Sequence, residues 1–182
     1  MHRLLSRIAL FAVLAAMSAP GWTADFCASI DAPERLLFAG EGYRLVAAER
    51  CGQVESRRFR AGGEGERREL LWRRYLGDVA AERFLRGYVE SLAHISIGRP
   101  DLRARELPGE PVSDYLVEAR TLGVGAGRAG YRLYRLVARE GAPMETFEFR
   151  YRFPERDVSA GPDLTARIEA WRRGIVELDP GR

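Results

Sequence analysis

The chain predicts an α+β fold, a mostly antiparallel sheet of about six strands with two helices on one face. Three observations carry that prediction. Several runs alternate apolar with charged residues, as strands do; in the sharpest, Phe147, Phe149, Tyr151 and Phe153 alternate with Glu148, Arg150 and Arg152. Two segments have helical spacing, one through Phe84 to Ile95 and one from Asp163 to about Leu178. The strands come in runs, without regular βαβ alternation.

Residues 1–24 read as an export signal. Arg3 and Arg7 give a positive start, Ile8 to Met17 is an unbroken apolar run of ten residues, and the small residues Ser18, Ala19 and Ala24 follow. Ten apolar residues are too few to span a bilayer. Cleavage after Ala19 would leave Pro20 at the new terminus, so Ala24 is the better site. Residues 25–182 then form one domain in an oxidising compartment, periplasmic or secreted. Ala24-Asp25-Phe26 does not suit lipid attachment at Cys27. Cys27 and Cys51 are the two cysteines, and in an exported chain they read as a disulfide.

The first half spans about 38–97. Tyr43 to Arg50 and Val54 to Arg60 flank Cys51-Gly52-Gln53, a hairpin turn. Arg68 to Leu76 reads as a strand with Leu70, Trp72 and Leu76 on one face, although Leu71 and Tyr75 also fit a helix. Asp78 is the expected N-cap of the first helix, which carries Phe84, Leu85, Tyr88, Leu92 and Ile95 and stops at Gly98 and Pro100. Residues 98–112 hold three prolines and two glycines and read as an irregular connector.

The second half spans about 113–178. Tyr115, Val117, Ala119 and Thr121 alternate, and Tyr131 to Glu140 and Glu145 to Phe153 form a hairpin across Gly141-Ala142-Pro143-Met144. Leu164, Ile168, Trp171, Ile175 and Leu178 make the apolar stripe of the last helix. Both halves thus read strand, strand, strand, helix, the pattern of a duplicated ββ-β-α unit.

Charge excludes some functions. The chain carries +3, but without Arg3 and Arg7 the remainder has 27 arginines against 26 acids. A net charge of +1 does not draw in nucleic acid or an anionic membrane. Lysine and asparagine are both absent, which fits the codon bias of a GC-rich genome. No further apolar stretch is long enough to cross a membrane.

Catalytic motifs are thin. Gly125 to Gly130 matches G-x-G-x-x-G, but a strand-like run follows it where a dinucleotide site needs a helix, so it reads as a hairpin loop. His94 is the sole histidine after the signal and suits a helix C-terminus better than a triad. Ser91 and Ser96 lie in no nucleophile elbow. With one histidine and two paired cysteines, no zinc set is complete, and no cofactor is expected. Glu64, Glu66 and Glu69 sit beside Arg67 and Arg68 and neutralise one another. Asp101, Glu106, Glu110 and Asp114 have no calcium-loop spacing.

The remaining feature is an arginine-bearing sheet face. If the aromatic row at 147–153 faces the helices, Arg150 and Arg152 lie on the open side, joined by Arg132 and Tyr134 and, further off, Arg44 and Arg58. Arginine with tyrosine suits anionic ligands and protein partners. The function that follows is a non-catalytic binding protein acting on an envelope protein or an anionic envelope component. Two alternatives make distinct demands. A hydrolase needs a cleft with two carboxylates roughly 5–10 Å apart. A carrier of an apolar ligand needs an enclosed cavity of at least about 300 Å³ beside the aromatic row.

Overall fold

Every segment of strand-like period forms a strand, and both helical stripes form helices. The computed structural model describes residues 27–62, 67–96, 101–108, 112–122, 129–152 and 162–178. Residues 1–24, read above as an export signal, the glycine-rich segment at 123–128 and Phe153 lie outside the described residues. The elements are β1 (Ala28–Ser29), β2 (Arg35–Phe38), β3 (Glu41–Cys51), β4 (Val54–Ala61), β5 (Arg67–Tyr75), α1 (Ala81–Ile95), β6 (Asp101–Glu106), β7 (Val112–Leu122), β8 (Ala129–Arg139), β9 (Met144–Arg152) and α2 (Pro162–Glu177).

Among the described residues, nine strands join one antiparallel sheet, in the order β1-β3-β4-β5-β9-β8-β7-β6, with β2 alongside β3. The α+β class stands, and the count of about six strands is corrected. β1 and β2 pair with the two ends of β3 along its outer edge. β6 arises inside the segment expected to be irregular. Its prolines, Pro100 and Pro108, bracket residues 101–106 instead of interrupting them, so the ladder with β7 survives.

The helices lie on opposite faces of the sheet, which corrects the expectation of one shared face. On β9, Phe147, Phe149 and Tyr151 face α2, and Trp171 of α2 meets Phe149 at 4.8 Å and Tyr151 at 5.0 Å between ring centroids. Met144, Thr146, Glu148 and Arg150 point the other way, where Tyr88 of α1 reaches Glu148. β8 explains why both faces are covered. Tyr131 and Leu133 face α2, while Tyr134 and Leu136 face α1, and all four are buried. A strand apolar on both sides demands a layer on each.

The two halves do repeat in order, as β3-β4-β5-α1 and β7-β8-β9-α2, and β5 pairs with β9 at their junction. A twofold through that pair, normal to the sheet, would put both helices on one face. Their opposite placement departs from that symmetry.

The main core lies under α2 and includes Phe38, Tyr43, Phe59, Leu70, Phe149, Trp171 and Ile175. Each large apolar side chain so buried contributes about 1.5–3 kcal/mol. The described residues of the aromatic row, Phe147, Phe149 and Tyr151, are buried in this core, Phe147 against Trp72 and the other two against Trp171. A second cluster under α1 joins Leu92, Tyr134, Leu136 and Met144. α1 begins after Ala80, without a side-chain cap, so Asp78 is not its N-cap. His94 meets the carbonyl of Glu90 through Nδ1 at 2.8 Å, the capping role its position suggests.

Cys27 and Cys51 form the expected disulfide, which ties the start of β1 to the end of β3. No helix among the described residues is long and apolar enough to cross a membrane.

Candidate functional site

Among the described residues, α1 lies over β7, β8 and the end of β5 and does not extend over the same face of β3 and β4. At the boundary sits Glu148, whose side chain is 2 % exposed. The alternation of β9 that points Phe147 and Phe149 into the α2 core turns Glu148 to the α1 side. Three arginines and a tyrosine meet it there. Arg150 donates from Nη2 to Oε2 at 2.6 Å, and Arg132 from Nη1 to Oε1 at 3.0 Å. The Tyr88 hydroxyl donates to Oε1 at 3.2 Å, and Arg73 Nη1 stands 4.0 Å from Oε2.

Burial alone would raise the Glu148 pKa. The hydrogen bond from Arg150 and the charges of Arg150, Arg132 and Arg73 outweigh it, and the carboxyl stays below its ordinary value. Tyr88 is pushed the opposite way, first by burial and then by the Glu148 charge, so its hydroxyl remains a donor. The carboxylate works as a clamp. It fixes the direction of guanidiniums that would otherwise sample many rotamers.

Beyond the clamp, this face holds a cleft of about 300 Å³. Arg58 of β4, Arg73 of β5 and Arg150 of β9 converge on it, with Glu49, Glu69 and Leu71. The ladder register brings them together, since Arg58 stands opposite Leu71, Leu71 opposite Glu148, and Glu69 opposite Arg150. Glu69 is engaged by Arg60 at 2.9 Å. Arg58 is exposed and makes no ion pair with a described residue. Around the cleft and its clamp, Arg58, Arg60, Arg73, Arg132 and Arg150 face the carboxylates of Glu49, Glu69 and Glu148. Five guanidiniums against three carboxylates leave this part of the face positive, although the whole chain is nearly balanced.

The four residues singled out from the sequence all lie on this face, with different fates. Arg150 lines the cleft. Arg132 is spent on Glu148. Tyr134 is buried, not open, because Tyr88 of α1 stacks on it at 3.8 Å between ring centroids. Arg152 is exposed at the end of β9, away from the cleft lining. Sequence reading missed Arg73, Glu148 and Tyr88. The signal for Glu148 was present, because a lone acid between aromatic neighbours on a central strand needs cationic partners across the ladder.

The two acids that line the cleft sit on the strands either side of β4. Glu49 stands opposite Ser56, and Glu69 opposite Arg60, four residues further along β4. At about 3.3 Å per residue, that offset alone is roughly 13 Å.

No protein-family model matches the chain, and no curated protein matches it. A solved structure that does match is LpqN of Mycobacterium tuberculosis, described as involved in cell envelope biogenesis. The two share 10 % sequence identity at a TM-score of 0.40, over 84 % of this chain and 80 % of that one. A likeness at that level carries no argument about what this chain does.

Proposed function

We propose that this is an exported, non-catalytic binding protein that engages an envelope protein or an anionic envelope component through the α1-side face of the sheet. The observation that carries the reading is the convergence of Arg58, Arg73 and Arg150 on one cleft, with Arg150 held in place by Glu148. Guanidiniums fixed in direction recognise carboxylate and phosphate groups in bidentate geometry. The export signal and the Cys27–Cys51 disulfide support a periplasmic or secreted site of action.

Arg58→Glu tests the proposal without touching the core, since the side chain is exposed. Its effect on stability should stay within about 0.5 kcal/mol. Immobilised wild-type protein should retain a component of envelope extract that the variant, folded by circular dichroism, does not. Identical capture by both proteins would overturn the reading.

A further inference from the structure

Two hollows on the α1 side share a wall. Arg73 lines the arginine cleft, and it also lines a groove of about 780 Å³ that runs along the N-terminal half of α1. Val79, Phe84, Tyr88 and Tyr134 give that groove an apolar and aromatic side. Arg83 and Asp78, also on its lining, offset each other in charge. Gly87 lies exposed on the lining, and a Cβ added there would point into open space, with no atom within 4 Å. A helix interior normally disfavours glycine by about 1 kcal/mol.

The two hollows differ in chemistry. One presents guanidiniums, that of Arg150 held by Glu148, and the other presents rings. Tyr88 belongs to both environments, since its ring stacks on Tyr134 while its hydroxyl is committed to Glu148. Of the acids around the cleft, Glu148 is paired with Arg150 and Arg132 and Glu69 with Arg60, while Glu49 also lines it. An anion in the cleft therefore meets little repulsion from Glu148 or Glu69.

Resting on the anion-binding reading above, we infer that cleft and groove form one site for a small anionic amphiphile. Arg58, Arg73 and Arg150 hold its carboxylate or phosphate head. Its apolar body lies along α1 against Val79, Phe84 and Tyr88. The groove alone, at about 780 Å³, is of a size that suits a small molecule, on the order of 300–1,000 Å³. A purely inorganic anion would leave the aromatic groove unused, and an uncharged chain would leave the arginines unanswered.

Calorimetric titration of the purified, oxidised protein tests this, with dodecyl phosphate, dodecanoate, dodecanol and inorganic phosphate, each below any micelle concentration. Dodecyl phosphate or dodecanoate should bind about tenfold or more tightly than dodecanol, and one of them about tenfold more tightly than inorganic phosphate. Arg58→Glu should remove the advantage over dodecanol. Gly87→Trp, which fills the groove and replaces a poor helix former, should weaken the amphiphile about tenfold and leave inorganic phosphate unchanged.

Equal affinity for the charged and uncharged chains would overturn the inference, as would indifference to Gly87→Trp in a folded variant. If Gly87→Trp has no effect while Arg58→Glu still abolishes envelope capture, the amphiphile falls and the binding face stands. If Arg58→Glu changes neither, both fall.

Discussion

Glu148 is the residue around which the α1 face is organised. Its carboxylate is buried, shared between Arg150 and Arg132, and hydrogen-bonded by Tyr88. Removing that charge would strand guanidiniums that were placed to meet it. Glu148→Gln should cost about 3 kcal/mol, read from denaturant unfolding, because breaking a buried pair exposes the desolvation it was offsetting. The same group makes stability depend on pH. Its folded-state pKa lies below the ordinary carboxylate value, so its contribution is fully present above about pH 4.5 and is lost as pH falls through the lowered value. Glu55 adds to this in the same sense, because the Arg50 hydrogen bond holds it low against the raising effect of burial. Melting temperature should fall between about pH 4.5 and 3 in the wild type and fall less steeply in Glu148→Gln. Parallel curves would refute the assignment. At this scale the sequence was partly legible. Period-two counting put Arg132, Tyr134, Arg150 and Arg152 on one face, opposite the aromatic row, but expected that face to carry no helix. Burial of Tyr134 was not foreseen, because it depends on Tyr88, forty-six residues away in the chain and brought there by the path of α1.

Among the elements, α2 is attached by a device that periodicity does not reveal. Arg135 points from β8 into the α2 side, where it is 10 % exposed. Its Nε and Nη2 engage Asp114 of β7, with Nη2 at 2.6 Å from Oδ2. Its Nη1 donates to the carbonyls of Ile175, Val176 and Leu178, at 3.2, 2.7 and 2.9 Å. One guanidinium thus satisfies the acceptor groups that a helix end leaves open, and complements the negative end of the dipole. Arg172 adds a second anchor, since its Nε donates to Glu118 at 2.9 Å. Arg135→Met should destabilise by about 3–5 kcal/mol, chiefly by stranding the Asp114 carboxylate. In the double variant with Asp114→Leu, much of that loss should return. A double variant no more stable than Arg135→Met would refute the pairing. The helical stripe from Leu164 to Leu178 identified α2 from sequence, but the face it covers was misjudged. The decisive cue was β8, where Leu133, Tyr134, Leu136 and Val137 are apolar on both sides of the strand. β6 was missed for a different reason. Composition over fifteen residues was allowed to veto a six-residue segment that itself contains no proline.

For the molecule as a whole, the sheet has two edges and treats them differently. At one, β6 presents Arg103 and Arg105, both exposed, on a strand of six residues, and charge of this kind discourages another strand from joining. At the other, β3 would offer eleven residues of free backbone, and β1 and β2 lie along it. The disulfide between Cys27 and Cys51 holds β1 there, across a separation of 24 residues. Such a loop should stabilise the fold by roughly 3 kcal/mol in the chain-entropy account. Replacing both cysteines by serine should lower stability by about that amount, measured by denaturant unfolding. The α+β class and the disulfide were readable from pattern and cysteine count. The edges were not, because β1 is two residues long and exists through its pairing with β3.

That covalent tie therefore does more than add stability. It is a latch on a sticky seam. With the bond reduced, β1 is free to peel from β3, and the uncovered seam can recruit the same seam of another copy, backbone to backbone. Solubility becomes contingent on oxidation. A chain made in a reducing cytosol should sediment as larger species over time, while its oxidised counterpart stays a single small one.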